Sequence, residues 1–172
     1  SRGTFFARAI DNSPKTLGEV CRAMAAHDGA AIVEVLQNCV IFNDKTHAEV
    51  TNREFKEERQ LWLEQGKPMI FGKNRDKGII LKGNHLEVVE IGKDGITEED
   101  LLVHDATREN TGVHMMLAQM CPPEFPMAFG VIRAVKAPTY NQIFEKQMEE
   151  ANQVSPIKCV DDLLNSGDTW EV

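Results

Sequence analysis

The segment that most restricts the fold is Ala30-Ala31-Ile32-Val33-Glu34-Val35-Leu36, nearly continuous in its apolar character with one charged position. A run like this suits a parallel strand covered on both faces, because a strand with one wet face alternates apolar and polar residues. What precedes it agrees. Thr4-Phe5-Phe6-Ala7-Arg8-Ala9-Ile10 favours extended chain, and Ser13-Pro14 offers an N-cap with proline at the first helical position. Leu17, Val20, Cys21, Met24 and Ala25 then recur at helical spacing as one apolar stripe, which assigns Cys21 to the core, and Gly29 stands where a helix ends in a left-handed residue. Residues 4–36 therefore predict strand, crossover helix, strand.

Two parallel strands and one helix cannot cover both faces of such a sheet. No later segment repeats the pattern, and the chain begins at Ser1-Arg2-Gly3 with no initiator methionine and enters a strand almost at once. The expectation is that residues 1–44 are the end of a larger parallel sheet whose other strands lie outside this sequence.

Residues 45–65 are polar, with Phe55, Leu61 and Trp62 as anchors, and read as a connecting arm with one helical stretch. Beyond them the character changes. Short apolar runs at 68–71, 78–81 and 86–91, separated by glycine-bearing turns, predict a small antiparallel meander. Thr97-Glu98-Glu99-Asp100 has a capping-box pattern. A helix carrying Val113, Met116, Leu117 and Met120 follows, stopped by Pro122-Pro123; Met115, Met116 and Met120 read as core filler. Residues 127–135 predict a further strand, Pro138-Thr139 starts an amphipathic helix with Ile143, Phe144, Gln147 and Met148, and 159–164 a short last helix before the tail at 167–172. The fold class is α/β: one βαβ unit ending a parallel sheet, then a small α+β extension at 45–172.

Charge and cysteine usage narrow the function. A formal net charge of −8 argues against nucleic acid, which needs a basic surface. No apolar stretch is long enough to span a bilayer, and no targeting segment opens the chain, so a cytoplasmic protein is expected. Lys67, Lys73, Arg75, Lys77 and Lys82, against the single acid Asp76, could steer an acidic partner, although a solvated hairpin with lysines for solubility is the simpler reading. Cys21, Cys39, Cys121 and Cys159 contain no CxxC pair, which fits neither a disulfide scaffold nor a self-contained zinc site. Cys39 differs from the others in lying where a buried parallel strand runs into a polar turn, the place where open α/β sheets bind ligands. A thiol there is placed to hold a soft metal, though a lone cysteine more often packs as a small hydrophobe. His104-Asp105 with His114 match no ligand spacing and read as surface or hydrogen-bonded polar groups. No glycine-rich phosphate loop or nucleophile elbow is present, and no catalytic residue is assigned.

The string VEVLQNCVIFND at 33–44 resembles a signature of 2-oxoacid:ferredoxin oxidoreductase β subunits. The resemblance continues collinearly through TFFARAID at 4–11, Ile70-Phe71-Gly72, Leu102-Val103-His104-Asp105-Ala106 and Gly167-Asp168-Thr169-Trp170. It implies that Cys39 is the fourth ligand of a 4Fe–4S cluster, with Phe42, Asn43 and Asp44 closing the turn beside it. It implies residues 1–44 as the end of the thiamine-diphosphate-binding domain and 45–172 as a β-subunit extension. It further implies oxidative decarboxylation of a 2-oxoacid, 2-oxoglutarate by overall resemblance, to an acyl-coenzyme A, with electrons passing through the cluster to ferredoxin and an α subunit as partner. The sequence departs from the family in lacking the GDGD-type motif and later asparagine pair that hold Mg²⁺ and the diphosphate of thiamine diphosphate, and the CxxC that supplies two cluster ligands. The chain alone is therefore expected to be inactive and to hold none of these cofactors. The alternative is a noncatalytic interaction module derived from such a subunit, using the lysine-rich hairpin or the helix at 139–153.

Overall fold

Phe5–Ile10 forms β1, Pro14–Ala25 forms α1 and Ala31–Leu36 forms β2, in a computed structural model that describes residues 3–168 and 170. Strands β1 and β2 pair in parallel, from Phe5 opposite Ala31 to Ile10 opposite Leu36, as the sequence predicts. Gly29 takes φ 107°, which lets the chain turn back from the helix into β2. Helix α1 covers one face of the sheet by packing Leu17, Val20 and Met24 on Phe5, Ala7 and Ala9.

One expectation for this unit is corrected. Cys21 is exposed, because the stripe that reaches the sheet is narrow, running through Leu17, Val20, Ala23 and Met24. Among the described residues β2 pairs on one side only, with β1; its Leu36 is buried, and Ile32 and Val35 are exposed.

The polar segment after residue 44 is more than an arm. Ala48–Thr51 (α2) and Lys56–Arg59 (α3) are single turns, and Gln60–Trp62 (β3) joins the first sheet. Its neighbour there is Met127–Ala134 (β7), which also pairs with β1, giving the order β2-β1-β7-β3. The first sheet is therefore mixed, with β1 and β2 parallel, β3 and β7 parallel, and an antiparallel seam between β1 and β7. Past Trp62 the Leu63 N–H still donates to the Phe129 carbonyl at 2.8 Å. The approach is close enough that a Cβ on Gly130 would lie 3.0 Å from the Leu63 oxygen, at a backbone φ of 104° that itself favours glycine.

Ile70–Phe71 (β4), Lys77–Lys82 (β5) and His85–Glu90 (β6) make the expected antiparallel meander. Thr97 and Asp100 close the expected capping box over a short 3₁₀ turn at Glu98–Asp100. Gly112–Gln119 is α4. Leu61, Phe71, Ile79, Leu117 and Ile132 join both sheets and α4 in one core. Met116 and Met120 pack in or against that core, whereas Met115 is exposed, a correction to its reading as filler.

The described chain divides into two compact units between Lys136 and Ala137. The second contains Tyr140–Val154 (α5) and Val160–Leu164 (α6). Thr139 caps α5 reciprocally, accepting the Gln142 N–H at 3.2 Å while the Gln142 side chain accepts the Thr139 N–H at 2.9 Å. Of the tail, Thr169, Glu171 and Val172 lie outside the described residues, as do Ser1 and Arg2. Among the described residues no helix is long and apolar enough to cross a membrane.

Candidate functional site

Beyond Leu36 the chain leaves the sheet at the carboxyl end of a parallel pair, and polar side chains hold it in a closed loop. Asp11, one residue past β1, accepts the Asn38 N–H at 3.0 Å. The Asn38 side chain donates to Asp44 Oδ1 at 3.0 Å and accepts the Lys45 N–H at 2.7 Å. Within the loop the Asn43 N–H donates to the Cys39 carbonyl at 2.9 Å, and the Asn43 amide donates to the Thr46 hydroxyl at 2.9 Å. Cys39 is thus fixed near the start of an ordered loop, with its thiol exposed. Val40, Ile41 and Phe42 follow it and are exposed, Phe42 at 90%. Three successive large apolar side chains in water are the mark of a surface that meets something.

Asn43 and Asp44 take the turn-closing role expected of them, whereas Phe42 stands free of the closure. Asn38 and Asp11 were not singled out by the sequence reading. The signal available was an asparagine and an aspartate bracketing the loop, residue types that bond backbone N–H groups at turns.

The donor set tests what Cys39 could hold. Among the described residues no three His, Cys, Asp or Glu side chains converge, and Cys21, Cys121 and Cys159 are separate exposed thiols. One exposed thiol on a braced loop fits one corner of an iron–sulfur cluster, whose irons each take a thiolate. The other three corners need donors from elsewhere.

A second polar cluster binds the segment at 104–107 to β7 and α4. His104 Nε2 lies 2.8 Å from the Val131 carbonyl and His114 Nε2 2.8 Å from the Asp105 carbonyl. A carbonyl only accepts, so each ring carries its proton on Nε2. His114 Nδ1 then accepts from the Arg133 guanidinium at 3.0 Å, while His104 Nδ1 is buried with no hydrogen-bond partner. Burial lowers both histidine pKa values, against the pull of the carbonyls, and the Arg133 cation lowers that of His114 further. Asp105 accepts from the Thr107 hydroxyl and the Gln65 amide, which hold its carboxyl down at about 2. These groups are structural fasteners, in keeping with the hydrogen-bonded role expected of them.

The lysine-rich hairpin is largely neutralised by acids from neighbouring segments. Lys67 pairs with Glu64, Lys77 with Glu58 at 2.6 Å and Lys82 with Glu87 at 3.3 Å. Glu58 also accepts the Lys73 N–H, and these contacts lower its pKa while raising that of Lys77. A paired surface of this kind favours the solubility reading over a steering patch.

No family model matches the chain. Along its whole length it is similar to the 2-oxoglutarate oxidoreductase subunit KorB of Mycobacterium tuberculosis, with 33% identity over 175 aligned positions that take in 100% of this chain and 46% of that protein. The chain thus spans about half the length of the curated relative it matches. Its fold is similar to that of a 2-oxoglutarate:ferredoxin oxidoreductase from Magnetococcus marinus, solved with 2-oxoglutarate, coenzyme A and succinyl-CoA bound. The TM-score is 0.54 at 18% identity, over 95% of this chain and 40% of that one.

Proposed function

The chain is related along its whole length to a 2-oxoglutarate oxidoreductase subunit, and from that relationship we propose that it works as the C-terminal portion of the β subunit of a 2-oxoglutarate:ferredoxin oxidoreductase. Residues 1–44 end the thiamine-diphosphate-binding domain and residues 45–172 form the extension that follows it. The complete enzyme decarboxylates 2-oxoglutarate oxidatively to its acyl-coenzyme A in the cytoplasm, together with an α subunit and ferredoxin.

The observation that carries this reading is the placement of Cys39, exposed on a braced loop at the carboxyl end of β2. Cys39 holds one corner of a 4Fe–4S cluster, and the rest of the subunit supplies the other three thiolates. The cluster supplies one-electron transfer to ferredoxin. Asn38, Asp11 and Asp44 hold the loop so that the thiol is presented in one position, while Val40, Ile41 and Phe42 give the cluster an apolar border that limits water, a lever on its potential. Mg²⁺ and thiamine diphosphate find no fitting donor set in these residues, and no step is assigned to this chain through them. The chain by itself is inactive.

The test is to assemble the complete subunit, containing this chain, with its α subunit and to compare Cys39→Ala with the unaltered enzyme. Iron per subunit, the electron paramagnetic resonance spectrum of the reduced protein and 2-oxoglutarate-dependent ferredoxin reduction are measured. The variant is expected to lose the cluster signal and the ferredoxin reduction. Full iron content with an unchanged spectrum would remove Cys39 from the ligand set.

A further inference from the structure

A polar cavity of about 540 Å³ opens beside Asn12 and Ser13, just past the carboxyl end of β1, and is bounded on its other side by Arg53, Lys56 and Trp62. Its charge is unlike that of the molecule around it. The chain holds 27 acidic residues against 19 lysines and arginines, yet no carboxylate lines this cavity, and Arg53 and Lys56 do. Neither cation has an ion pair among the described residues, in contrast to Lys67, Lys77 and Lys82. Two unpaired cations lining one polar cavity that no carboxylate lines repel each other unless an anion enters.

Hydroxyl donors stand with them. Ser13 donates its hydroxyl to Thr16 Oγ1 at 3.1 Å, which leaves the Thr16 hydroxyl proton free to donate onward. The cavity continues past Thr16 and Trp62 into a second one of about 610 Å³, and the two share both residues. That second cavity is lined by His104, a ring only 2% exposed whose Nδ1 has no hydrogen-bond partner. The cleft therefore has a cationic end of hydroxyl and guanidinium donors and a long neighbouring space in which a buried acceptor is unfilled. An anion with several acceptor oxygens, attached to a larger body that carries donors, matches both ends.

We propose that the cavity at Arg53 and Lys56 binds the phosphate group of a phosphate-bearing small molecule. The guanidinium of Arg53 takes two phosphate oxygens side by side, Lys56 adds a point charge, and the Thr16 hydroxyl donates to a third oxygen. The phosphate belongs either to an extended phosphate ester, coenzyme A among them, or to an inorganic ion. The site stands on its own charges and does not rest on the oxidoreductase reading; only the coenzyme A arm of the test does.

The 172-residue chain is titrated by calorimetry at low salt with inorganic phosphate, inorganic diphosphate and coenzyme A. The same titrations are made on Arg53→Ala/Lys56→Ala, on Arg53→Lys/Lys56→Arg, and on Lys82→Ala/Lys93→Ala, which removes equal charge elsewhere. Saturable binding of at least one probe is expected, weakened about tenfold or more by the first variant. The charge-preserving pair is expected to keep most of it and the remote pair to leave it unchanged. Tighter binding of coenzyme A than of diphosphate identifies an extended ester; equal binding identifies the inorganic ion. The proposal is overturned if no probe saturates, or if the remote double variant weakens binding as much as the local one. Matching circular dichroism spectra for all variants separate a lost site from a lost fold.

Discussion

Arg8 is a charged residue inside an apolar strand, only 7% exposed, and its bonds define a measurable cost. Its guanidinium donates to the Ala118 carbonyl at 2.9 Å and, more weakly, to the Ala128 carbonyl at 3.4 Å, while Nε donates to Glu34 at 2.7 Å. One side chain thereby ties β1 to β2, β7 and the end of α4. A bond from a charged donor to a carbonyl contributes roughly 1.5–3 kcal/mol. The Glu34 pair adds less, under about 1 kcal/mol, because the Glu34 side chain is 45% exposed and water screens it. Against this stands the desolvation of the buried guanidinium, which methionine in its place would relieve in part. Arg8→Met is therefore expected to destabilise by about 2 kcal/mol, a fall in melting temperature of about 4–8 °C for a chain this size, and Glu34→Gln by under about 1 kcal/mol. Urea unfolding followed by far-ultraviolet circular dichroism measures both, with the slope unchanged. If Arg8→Met matches or exceeds the unaltered protein, the desolvation cost outweighs the bonds. If Glu34→Gln costs as much as Arg8→Met, the carbonyl bonds are not what holds the strands.

The buried histidines set an acid limit. Both His104 and His114 have folded pKa values below the ordinary 6.5, so below pH 6.5 the unfolded chain binds more protons than the folded one and stability falls as pH drops. Their stabilisation is present in full above that pH, and its loss approaches roughly 1.4 kcal/mol per pH unit for each ring until the folded value is reached. The groups facing the pair are Arg133, Arg108 and Asp105, and Asp105, at about 2, stays ionised throughout this window. A urea midpoint that is the same at pH 7.5 and 5.5 would contradict this. At the end of α1, Gly29→Ala places a Cβ at φ 107° and is expected to destabilise by about 1–2 kcal/mol, read as a lower melting temperature; an unchanged one would mean the turn relaxes freely.

What could be read from sequence follows the range of the interactions that make each element. The βαβ unit, the meander and the capping box at Thr97 are encoded by neighbours a few residues apart, through apolar period, turn glycines and a reciprocal Thr–Asp pair, and each appears where expected. Strand β3 was invisible for the opposite reason. Gln60-Leu61-Trp62 has no alternation to speak of, and it becomes a strand only because β7, far along the chain, offers it an edge. Cys21 shows the limit of periodicity, since a five-residue stripe gives the direction of a helix face but not its width. Arg8 and Glu34 announce nothing individually; that they stand opposite each other is a property of register. Cys39 is set apart in the sequence by its place after an apolar strand, and a ligand role for it rests on the resemblance, while the asparagine that braces its loop is an ordinary turn residue until its three bonds are seen.

Strand direction explains why the remaining chemistry gathers where it does. Strands β1 and β2 are parallel and β3 runs against them, because β7 is antiparallel to β1 and parallel to β3. The carboxyl ends of β1 and β2 and the amino end of β3 therefore open on the same side of the sheet. Asn12, the Cys39 loop and the segment carrying Arg53 and Lys56 all emerge there, although Asn12 and Lys56 are 44 positions apart in the chain. A third cavity, lined by Asn38 of the Cys39 loop together with Asn12 and Thr51, connects them, since Asn12 and Thr51 also line the cavity of Arg53 and Lys56. A ligand on the cations and a group on Cys39 would thus be separated by side chains that touch both spaces. The polar segment that looks least structured in the sequence is therefore the one that lines the side of the sheet on which the Cys39 loop emerges.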